Sequence, residues 1–181
     1  MKKFKTSKES RVSITELMLP QHSNFGGKVH GGYILSLMDQ IAFACASKHS
    51  QAYCVTASVN RVDFLNPIEV GELVTLKASI NYTGRTSMVV GVRVEAESVT
   101  SGKKRHCNSS YFTMVAKDDQ GNNVTVPGLL LTHKEELRRF ARSVERKMAV
   151  YKRDTKYHSK KIEVSEYLEF LEGENVKLEL D

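Results

Sequence analysis

The stretch 24–47 carries the side chains best suited to chemistry, and their spacing points to one site. Asn24 precedes four glycines, and Asp39 follows Gly32 by seven residues in an otherwise apolar run. A carboxylate in an apolar helix rarely occurs without a partner or a chemical role. Glycines at the start of a helix let its free N–H groups approach a ligand that carries negative charge. We therefore take Asn24, Asp39, Gly31 and Gly32 as candidate catalytic residues.

Other catalytic motifs are missing from the sequence. It contains no GxxxxGK[ST], HExxH or GxGxxG pattern, and Ser36 is not set in a GxSxG elbow, which argues against a serine nucleophile. The six histidines lack the spacing of metal ligands. We expect no metal and no cofactor.

The composition is that of a globular protein. The chain has 181 residues, of which 40% are hydrophobic, which is enough for one domain and an appendage. Its three cysteines form no CxxC pair, which favours a reducing compartment in which thiols serve as small apolar residues. The N-terminus lacks the apolar region of a signal peptide, and no stretch resembles a membrane span. We expect a cytoplasmic location.

The chain changes character near residue 132. Residues 134–161 contain 11 basic and 4 acidic side chains, whereas residues 162–181 contain 1 basic and 7 acidic. We therefore predict a domain over 1–131 and a charged helical C-terminal extension over 132–181, with no nucleic acid bound. An anionic partner of the basic block is the alternative. The extension should hold an amphipathic helix over 133–151, with Thr132 and Glu135 as a capping box, and a second helix near 164–171.

The helix that contains Asp39 reads as buried, because its residues are apolar on nearly every side. Strands surround it in the sequence, and most of them alternate apolar and polar residues or are rich in β-branched residues. A change of apolar parity predicts a bulge near Asn60 and Arg61. Short connections imply antiparallel neighbours, so we predict an α+β fold in which a long antiparallel sheet wraps around one central helix. The predicted strands cover 11–18, 52–65, 73–82, 86–98 and 105–117.

The spacing of several blocks between residues 10 and 130 resembles the hot-dog-fold acyl-CoA thioesterases. It is most similar to the cytosolic acyl-CoA hydrolases, a group with a bacterial YciA type and an animal brain type. The blocks that carry the resemblance are Asn24, Gly27, Gly31–Gly32, Met38–Asp39, Val62–Leu65, Pro67 and Gly71–Glu72. The resemblance implies hydrolysis of a fatty acyl-CoA to a free acid and coenzyme A. It also implies dimers whose sheets join edge to edge, or three such dimers in a hexamer.

The candidate residues suit this reaction. Thioester hydrolysis requires an activated water and donors that stabilise the oxyanion. Backbone N–H groups near Gly31 and Gly32 can be those donors, and Asn24 matches the asparagine with which the family orients the water or the carbonyl. Asp39 can act as a general base or as a nucleophile, and the sequence leaves both open.

Helix geometry separates these groups. The seven residues from Gly32 to Asp39 span about 10 Å at ~1.5 Å per residue. A working carboxylate needs contacts of roughly 3 Å. The sequence therefore predicts that Asp39 serves the oxyanion site of a second subunit, so that the active site is shared.

Coenzyme A and the acyl chain need further contacts. Arg61 and the hairpin residues Arg85, Thr86 and Ser87 match positions where the family contacts coenzyme A, whose phosphates attract basic groups. Apolar residues near the helix should form the slot for the acyl chain; they are Tyr33, Val59 and Phe64. The alternative function is a hot-dog protein that binds acyl-CoA or a nucleotide without turnover.

Overall fold

The computed structural model describes the backbone of residues 3–158 and the side chains of residues 3–152. A 3-10 turn at Pro20–His22 lies between the second strand and the central helix. The other elements in this range are, in chain order, β1 (Phe4–Thr6), α1 (Ser7–Ser10), β2 (Val12–Leu17), α2 (Gly31–Ser50), β3 (Tyr53–Val59), β4 (Glu72–Thr83), β5 (Ser87–Ser98), β6 (Lys104–Lys117), β7 (Gly128–Leu130) and α3 (Lys134–His158).

Five long strands form one antiparallel sheet in the order β2-β4-β5-β6-β3. The predicted alternation is confirmed, because every second residue of β4 and β5 faces the core; Val74, Leu76, Val90 and Val94 are fully buried. Short turns join β4 to β5 and β5 to β6. The sheet is therefore a meander with β2 and β3 at its two edges.

Helix α2 lies on the buried face of this sheet and contacts four of its strands besides β2. Its apolar side packs into the core through residues such as Ile34, Met38 and Ile41. This confirms the predicted central helix. The prediction that α2 is apolar on nearly every side is wrong, however, because Ser36, Asp39, Gln40 and Phe43 are exposed. They recur at helical spacing and so form one stripe.

Strand β3 is shorter than predicted. It ends at Val59, and its register against β6 shifts between Thr56 and Ser58, so the bulge predicted near Asn60 and Arg61 is misplaced. Beyond Val59 the chain still follows β6, with single backbone hydrogen bonds from Asn60 N to Tyr111 O and from Leu65 N to Cys107 O, both 2.9 Å. Isolated bonds hold a loop against β6 but do not make a ladder.

The N-terminal segment closes the far end of α2, and the sequence analysis did not predict it. Strand β1 pairs in parallel with β7. The buried Lys5 donates from Nζ to the carbonyls of His49 (2.8 Å) and Lys48 (3.3 Å), the last residues of α2 before Ser50. A cation there satisfies free carbonyls and opposes the negative end of the helix dipole.

Helix α3 begins at Lys134, and its first turns contact the sheet unit. The capping prediction named the wrong glutamate, because the N–H and hydroxyl of Thr132 both donate to Glu136, at 2.8 and 3.0 Å. Glu135 instead pairs with Arg138 and Arg139. The predicted second helix near 164–171 lies outside the described residues, and the division at residue 132 stays a prediction.

The aromatic ring of Phe140 stacks on Tyr82, with ring centroids 5.6 Å apart. The compact unit that contains the sheet reaches Val144, and residues 145–158 continue the helix. Within the described residues, no helix combines the length and the apolar character that crossing a membrane requires.

Candidate active site

Asp39 occupies the exposed stripe of α2 and points along the open edge of the sheet. Its Oδ1 accepts a hydrogen bond of 2.5 Å from Oγ1 of Thr56 on β3. The expectation of a buried carboxylate is therefore wrong for the single protomer. The physical reason is that β3 is the edge strand, so the protomer's own sheet ends beside Asp39 and covers only one side of it.

Thr56 is a site residue that the sequence analysis missed. Its position follows from the turn between α2 and β3. Strand β3 runs back along α2 after that turn, and the hydrogen bond between Thr56 and Asp39 shows where the two elements meet. A hydroxyl donated to one carboxylate oxygen fixes the orientation of the carboxylate and leaves the other oxygen available for a water.

Asn24 is fixed by a tight turn. Its Oδ1 accepts hydrogen bonds from the backbone N–H of Gly26 (2.9 Å) and of Lys28 (3.2 Å). These bonds assign the amide orientation, because a carbonyl oxygen must face both donors. The Nδ2 group consequently points away from the turn, and no described residue accepts a hydrogen bond from it. Asn24 thus holds the turn and presents two N–H donors outward.

The N-terminus of α2 provides one N–H group without a protein acceptor among the described residues, that of Gly31. The next N–H, of Gly32, donates to Nδ1 of His30 at 2.9 Å. His30 is the N-cap residue, and a histidine cap that occupies the Gly32 donor was not predicted. Of the two glycines singled out for an oxyanion site, Gly31 is therefore the one whose donor is available.

Both glycines also permit close packing. A Cβ atom at Gly31 would lie 3.2 Å from the ring of Phe64, and one at Gly32 would lie 2.9 Å from the ring of His30. Either methyl group would displace its neighbour. The ring of Phe64 thus covers the start of α2, and it remains 51% exposed on its other side.

The segment that carries Arg61 and Phe64 is anchored on β6. Besides the backbone bonds of Asn60 and Leu65, the hydroxyl of buried Ser110 donates to the carbonyls of Asn60 and Arg61, at 3.1 and 3.3 Å. Farther along, Arg105 makes a bidentate ion pair with Glu72, and its Nη2 also donates to the Pro67 carbonyl. Arg61 itself is exposed and pairs with Asp63 at 2.7 Å.

The hairpin residues Arg85, Thr86 and Ser87 lie apart from Arg61 within one protomer. Asn60 bonds to Tyr111, which is opposite Gly91, whereas Ser87 lies four residues earlier on the same strand. Four residues span about 13 Å of strand. The structure therefore does not bring the two predicted coenzyme A contacts together in a single chain. Arg85 is exposed, and its carbonyl accepts from Val126 N.

Tyr33 faces β2 through contacts that the sequence analysis did not expect. Its ring stacks on the ring of His22, with centroids 4.1 Å apart, and its hydroxyl donates a hydrogen bond to Glu16. That hydrogen bond, with burial and the charge of Glu16, raises the pKa of Tyr33 to about 12. The acyl slot of Tyr33, Val59 and Phe64 stays a prediction; Val59 and Phe64 are both exposed near the end of β3.

The remaining candidate groups are structural. All three cysteines are buried, and burial raises the pKa of Cys45 to about 12, so its thiol is unreactive at neutral pH. Within residues 3–152, no three histidine, cysteine or carboxylate side chains are grouped as metal ligands.

The geometry therefore gives two half-sites on one protomer. One is the Asp39–Thr56 pair on the open edge; the other is the start of α2, with the Gly31 N–H, the Asn24 amide and Phe64. Because α2 is a continuous helix, Gly31 and Asp39, which are eight residues apart, are separated by about 12 Å along its axis. Neither half-site has all the groups that thioester hydrolysis needs.

Comparison with known proteins assigns this arrangement to a family. A profile described as the thioesterase superfamily matches residues 26–103. The VdlD protein of Helicobacter pylori is 37% identical, over 78% of this chain and 81% of its own length. A Bacillus subtilis protein described as an uncharacterized acyl-CoA thioester hydrolase is 34% identical, over 84% of this chain and 87% of its own.

Solved structures support the same family assignment. A hexameric acyl-CoA thioesterase is 36% identical and superimposes with a TM-score of 0.82, covering 84% of this chain and 97% of its own. An acyl-CoA hydrolase from Staphylococcus aureus is 30% identical, with a TM-score of 0.78 over 93% of this chain and 99% of its own. It has been solved with butyryl coenzyme A and coenzyme A, and as variants in which one aspartate, one asparagine or one threonine is replaced by alanine.

The predicted hot-dog fold and enzyme class are confirmed, and the alternative of a protein without turnover gains no support from relatives that are named hydrolases. The chain belongs to the thioesterase superfamily and is a thioester hydrolase of the hot-dog fold.

Proposed function

We propose that this hydrolase cleaves acyl-CoA thioesters at a site formed by two protomers. Asp39 and Thr56 of one protomer face the Gly31 N–H and the Asn24 amide of its partner. The observation that carries the proposal is the separation of about 12 Å along α2 between two half-sites that each lack the other's groups. A pair of protomers related by a two-fold axis forms two such sites.

The roles of the residues follow from their hydrogen bonds. The Gly31 N–H and the outward Asn24 amide are donors for the oxyanion that develops on the thioester carbonyl. Thr56 holds one oxygen of Asp39, and the other oxygen acts on a water or attacks the thioester carbon. In either route the C–S bond breaks and the thiolate of coenzyme A takes up a proton. Hydroxylamine trapping of an Asp39 anhydride distinguishes the nucleophilic route.

The Staphylococcus aureus hydrolase supports this choice of residues. The asparagine, aspartate and threonine replaced in its variants are separated by 15 and 17 positions. Asn24, Asp39 and Thr56 have the same two spacings in this chain. Equal spacings across a helix and its following strand support the assignment of these three side chains to equivalent positions in the same fold.

We further propose acyl-CoA as the substrate and a homodimer or a trimer of dimers as the assembly, since the relatives include a complex with butyryl coenzyme A and hexameric thioesterases. The exposed Arg61 and Arg85, with Thr86 and Ser87, are proposed contacts of the coenzyme A phosphates. Because they lie apart in one chain, these contacts come from different protomers. The cytoplasm is the expected location, and no nucleic acid is expected.

Mixed variants test the shared site. Asp39→Asn and Asn24→Ala are each expected to be inactive alone. In a hybrid dimer, one of the two sites receives an intact Asp39 from one chain and an intact Asn24 from the other. Random exchange of equal amounts should therefore restore about a quarter of the wild-type activity, measured as thiol release from butyryl- and palmitoyl-CoA. Absence of any recovery after verified exchange of chains contradicts the shared site.

A further inference from the structure

One aromatic side chain next to the candidate site is fully exposed to solvent in its own protomer. Phe25 follows Asn24 in the turn and is fully exposed, at 114% of the reference area. The turn is rigid, because Asn24 accepts hydrogen bonds from two of its N–H groups and Asn24 N donates to Lys28 O at 2.7 Å. A fixed turn that holds a phenyl ring in water loses the hydrophobic free energy of burying it.

A second aromatic feature lies on the exposed stripe of α2. Phe43 is one helical turn beyond Asp39, and its ring meets Tyr53 of β3 edge to face, with centroids 5.6 Å apart. Phe43 and Tyr53 are 38% and 62% exposed. This aromatic pair borders the same open edge as Asp39 and Thr56. It therefore offers a partly open apolar surface beside one half-site, just as Phe25 stands beside the other.

The shared site brings these two features together. If Asn24 reaches the Asp39 of its partner, then Phe25 lies within one residue, about 3.8 Å between Cα atoms, of that point. Phe43 lies about 6 Å from Asp39 along α2. The ring of Phe25 can therefore reach the partner's aromatic pair, whereas its own pair lies beyond the separation of the half-sites. A two-fold axis makes the contact twice in each dimer.

We propose that Phe25 of one protomer packs on the Phe43–Tyr53 pair of its partner, and that this contact seats the Asn24 turn at the shared site. The occupant of the exposed aromatic pair is thus a second copy of this chain. The inference rests on the proposed shared site and adds to it the side chain that docks the two half-sites. Aromatic anchors in interfaces commonly carry much of the binding free energy.

Cross-linking tests the contact directly. Chains with Phe25→Cys and chains with Phe43→Cys, carrying different tags, are exchanged and treated with a short bismaleimide, which spans more than a disulfide allows. The native cysteines are buried. We expect a covalent dimer that contains both tags. The matched control replaces Phe25→Cys by Thr15→Cys, an exposed residue of β2, four strands or about 19 Å from β3. No tagged heterodimer, or equal yield with the control, overturns the proposal.

A double-mutant cycle gives a second, independent readout. Phe25→Ala and Phe43→Ala should each raise the dissociation constant of the dimer roughly tenfold to a hundredfold, and the double variant should be little worse than either. Activity lost by Phe25→Ala should return at high protein concentration. Additive effects would mean that Phe25 and Phe43 do not contact each other, and would overturn the proposal. A Phe43→Ala variant whose acyl-chain preference changes while its dimer affinity does not would mean that substrate occupies the aromatic pair.

The two proposals fail differently. If the Asp39→Asn and Asn24→Ala hybrids regain activity but the Phe25–Phe43 cross-link does not form, the shared site stands and the aromatic contact is wrong. If the hybrids stay inactive and no cross-link forms, the shared site itself is wrong.

Discussion

The C-terminal end of helix α2 and its exposed stripe differ in how their polar groups are paired. At the C-terminal end, Lys5, Ser10 and His49 are all buried, and their polar atoms have partners within the protomer. His49 contacts Ser10 Oγ at 3.1 Å and the Pro127 carbonyl at 3.2 Å, and burial lowers its pKa, which favours the neutral ring. On the open edge, by contrast, Asp39 is exposed with Thr56 as its hydrogen-bond donor.

This difference separates residues that stabilise the fold from residues that are available for function. Buried polar groups that are fully paired contribute to one well-defined fold. Exposed groups that are oriented but incompletely paired are available to a substrate or a second chain. We therefore expect substitutions at the C-terminal end to change the free energy of unfolding and substitutions at the open edge to change turnover.

The largest effect is expected at Asp39. Asp39→Asn keeps the shape of the side chain but removes the charge that activates water, so kcat for butyryl-CoA should fall by about 100- to 10,000-fold. Because the residue is exposed, the midpoint of thermal unfolding should change little. Thiol release and a thermal melt of the same sample measure both quantities. A variant with a lowered midpoint of thermal unfolding and an unchanged kcat would show that Asp39 stabilises the fold and does not take part in turnover.

Glu136 of α3 and the groups that donate to it should govern the stability of the fold at low pH. Burial raises the pKa of Glu136, but the hydrogen bonds from Ser7 and Thr132 and the charge of Arg11 outweigh it and lower the pKa from 4.5 to about 2. A lowered folded-state pKa means that this stabilisation is complete above the unfolded value and is lost as pH falls from about 4.5 to about 2.

Glu136→Gln tests this pH dependence. The variant should lose on the order of 2 kcal/mol of unfolding free energy at neutral pH. The gap from wild type, followed by urea denaturation, should narrow as the pH is lowered through that range. The matched control is Glu135→Gln, since Glu135 is half exposed and pairs only along the helix surface. A gap that does not depend on pH contradicts the assigned ionisation.

Removal of the Lys5 cation should destabilise the fold without affecting chemistry. Lys5→Met keeps most of the stem and leaves the last carbonyls of α2 without their donor, at a cost of about 1–3 kcal/mol. The exposed Lys8→Met is the control. Denaturation curves give the free energy, and kcat per folded molecule should stay at the wild-type value. A fall in kcat without loss of stability would link this end of α2 to the site.

The smallest effect concerns the orientation of Asp39. Thr56→Val removes the hydroxyl and keeps the shape, so kcat should fall about tenfold, as expected for one lost hydrogen bond to a charged group. Thr56→Ser retains the donor and should recover most of the rate. A loss of rate in Thr56→Ser with full activity in Thr56→Val would show that the methyl group, not the hydrogen bond, matters. The pH–rate profiles of the two variants separate these cases.

The sequence predicted the elements that depend on local periodicity. Alternation located β4, β5 and β6 within one or two residues, and the apolar run located α2, because side-chain period follows backbone type. Spacing also selected Asn24 and Asp39 as candidate catalytic residues, and their roles stay a prediction. Prediction from the sequence failed where a few tertiary contacts determine whether a strand forms. Strand β3 ends at Val59 because residues 60–66 make only isolated hydrogen bonds to β6. Strand β1 forms only because β7 is there to pair with it.

The environment of each site residue could come only from the tertiary structure. The spacing of Asn24, Gly31, Asp39 and the blocks after them indicated thioester hydrolysis through their resemblance to the hot-dog-fold thioesterases. Whether Asp39 is buried or exposed depends on which strand forms the edge of the sheet. Thr56 and Phe64 became site neighbours through the return of the chain. Those are long-range pairings between segments, and a periodic pattern within one segment contains no information about its partner.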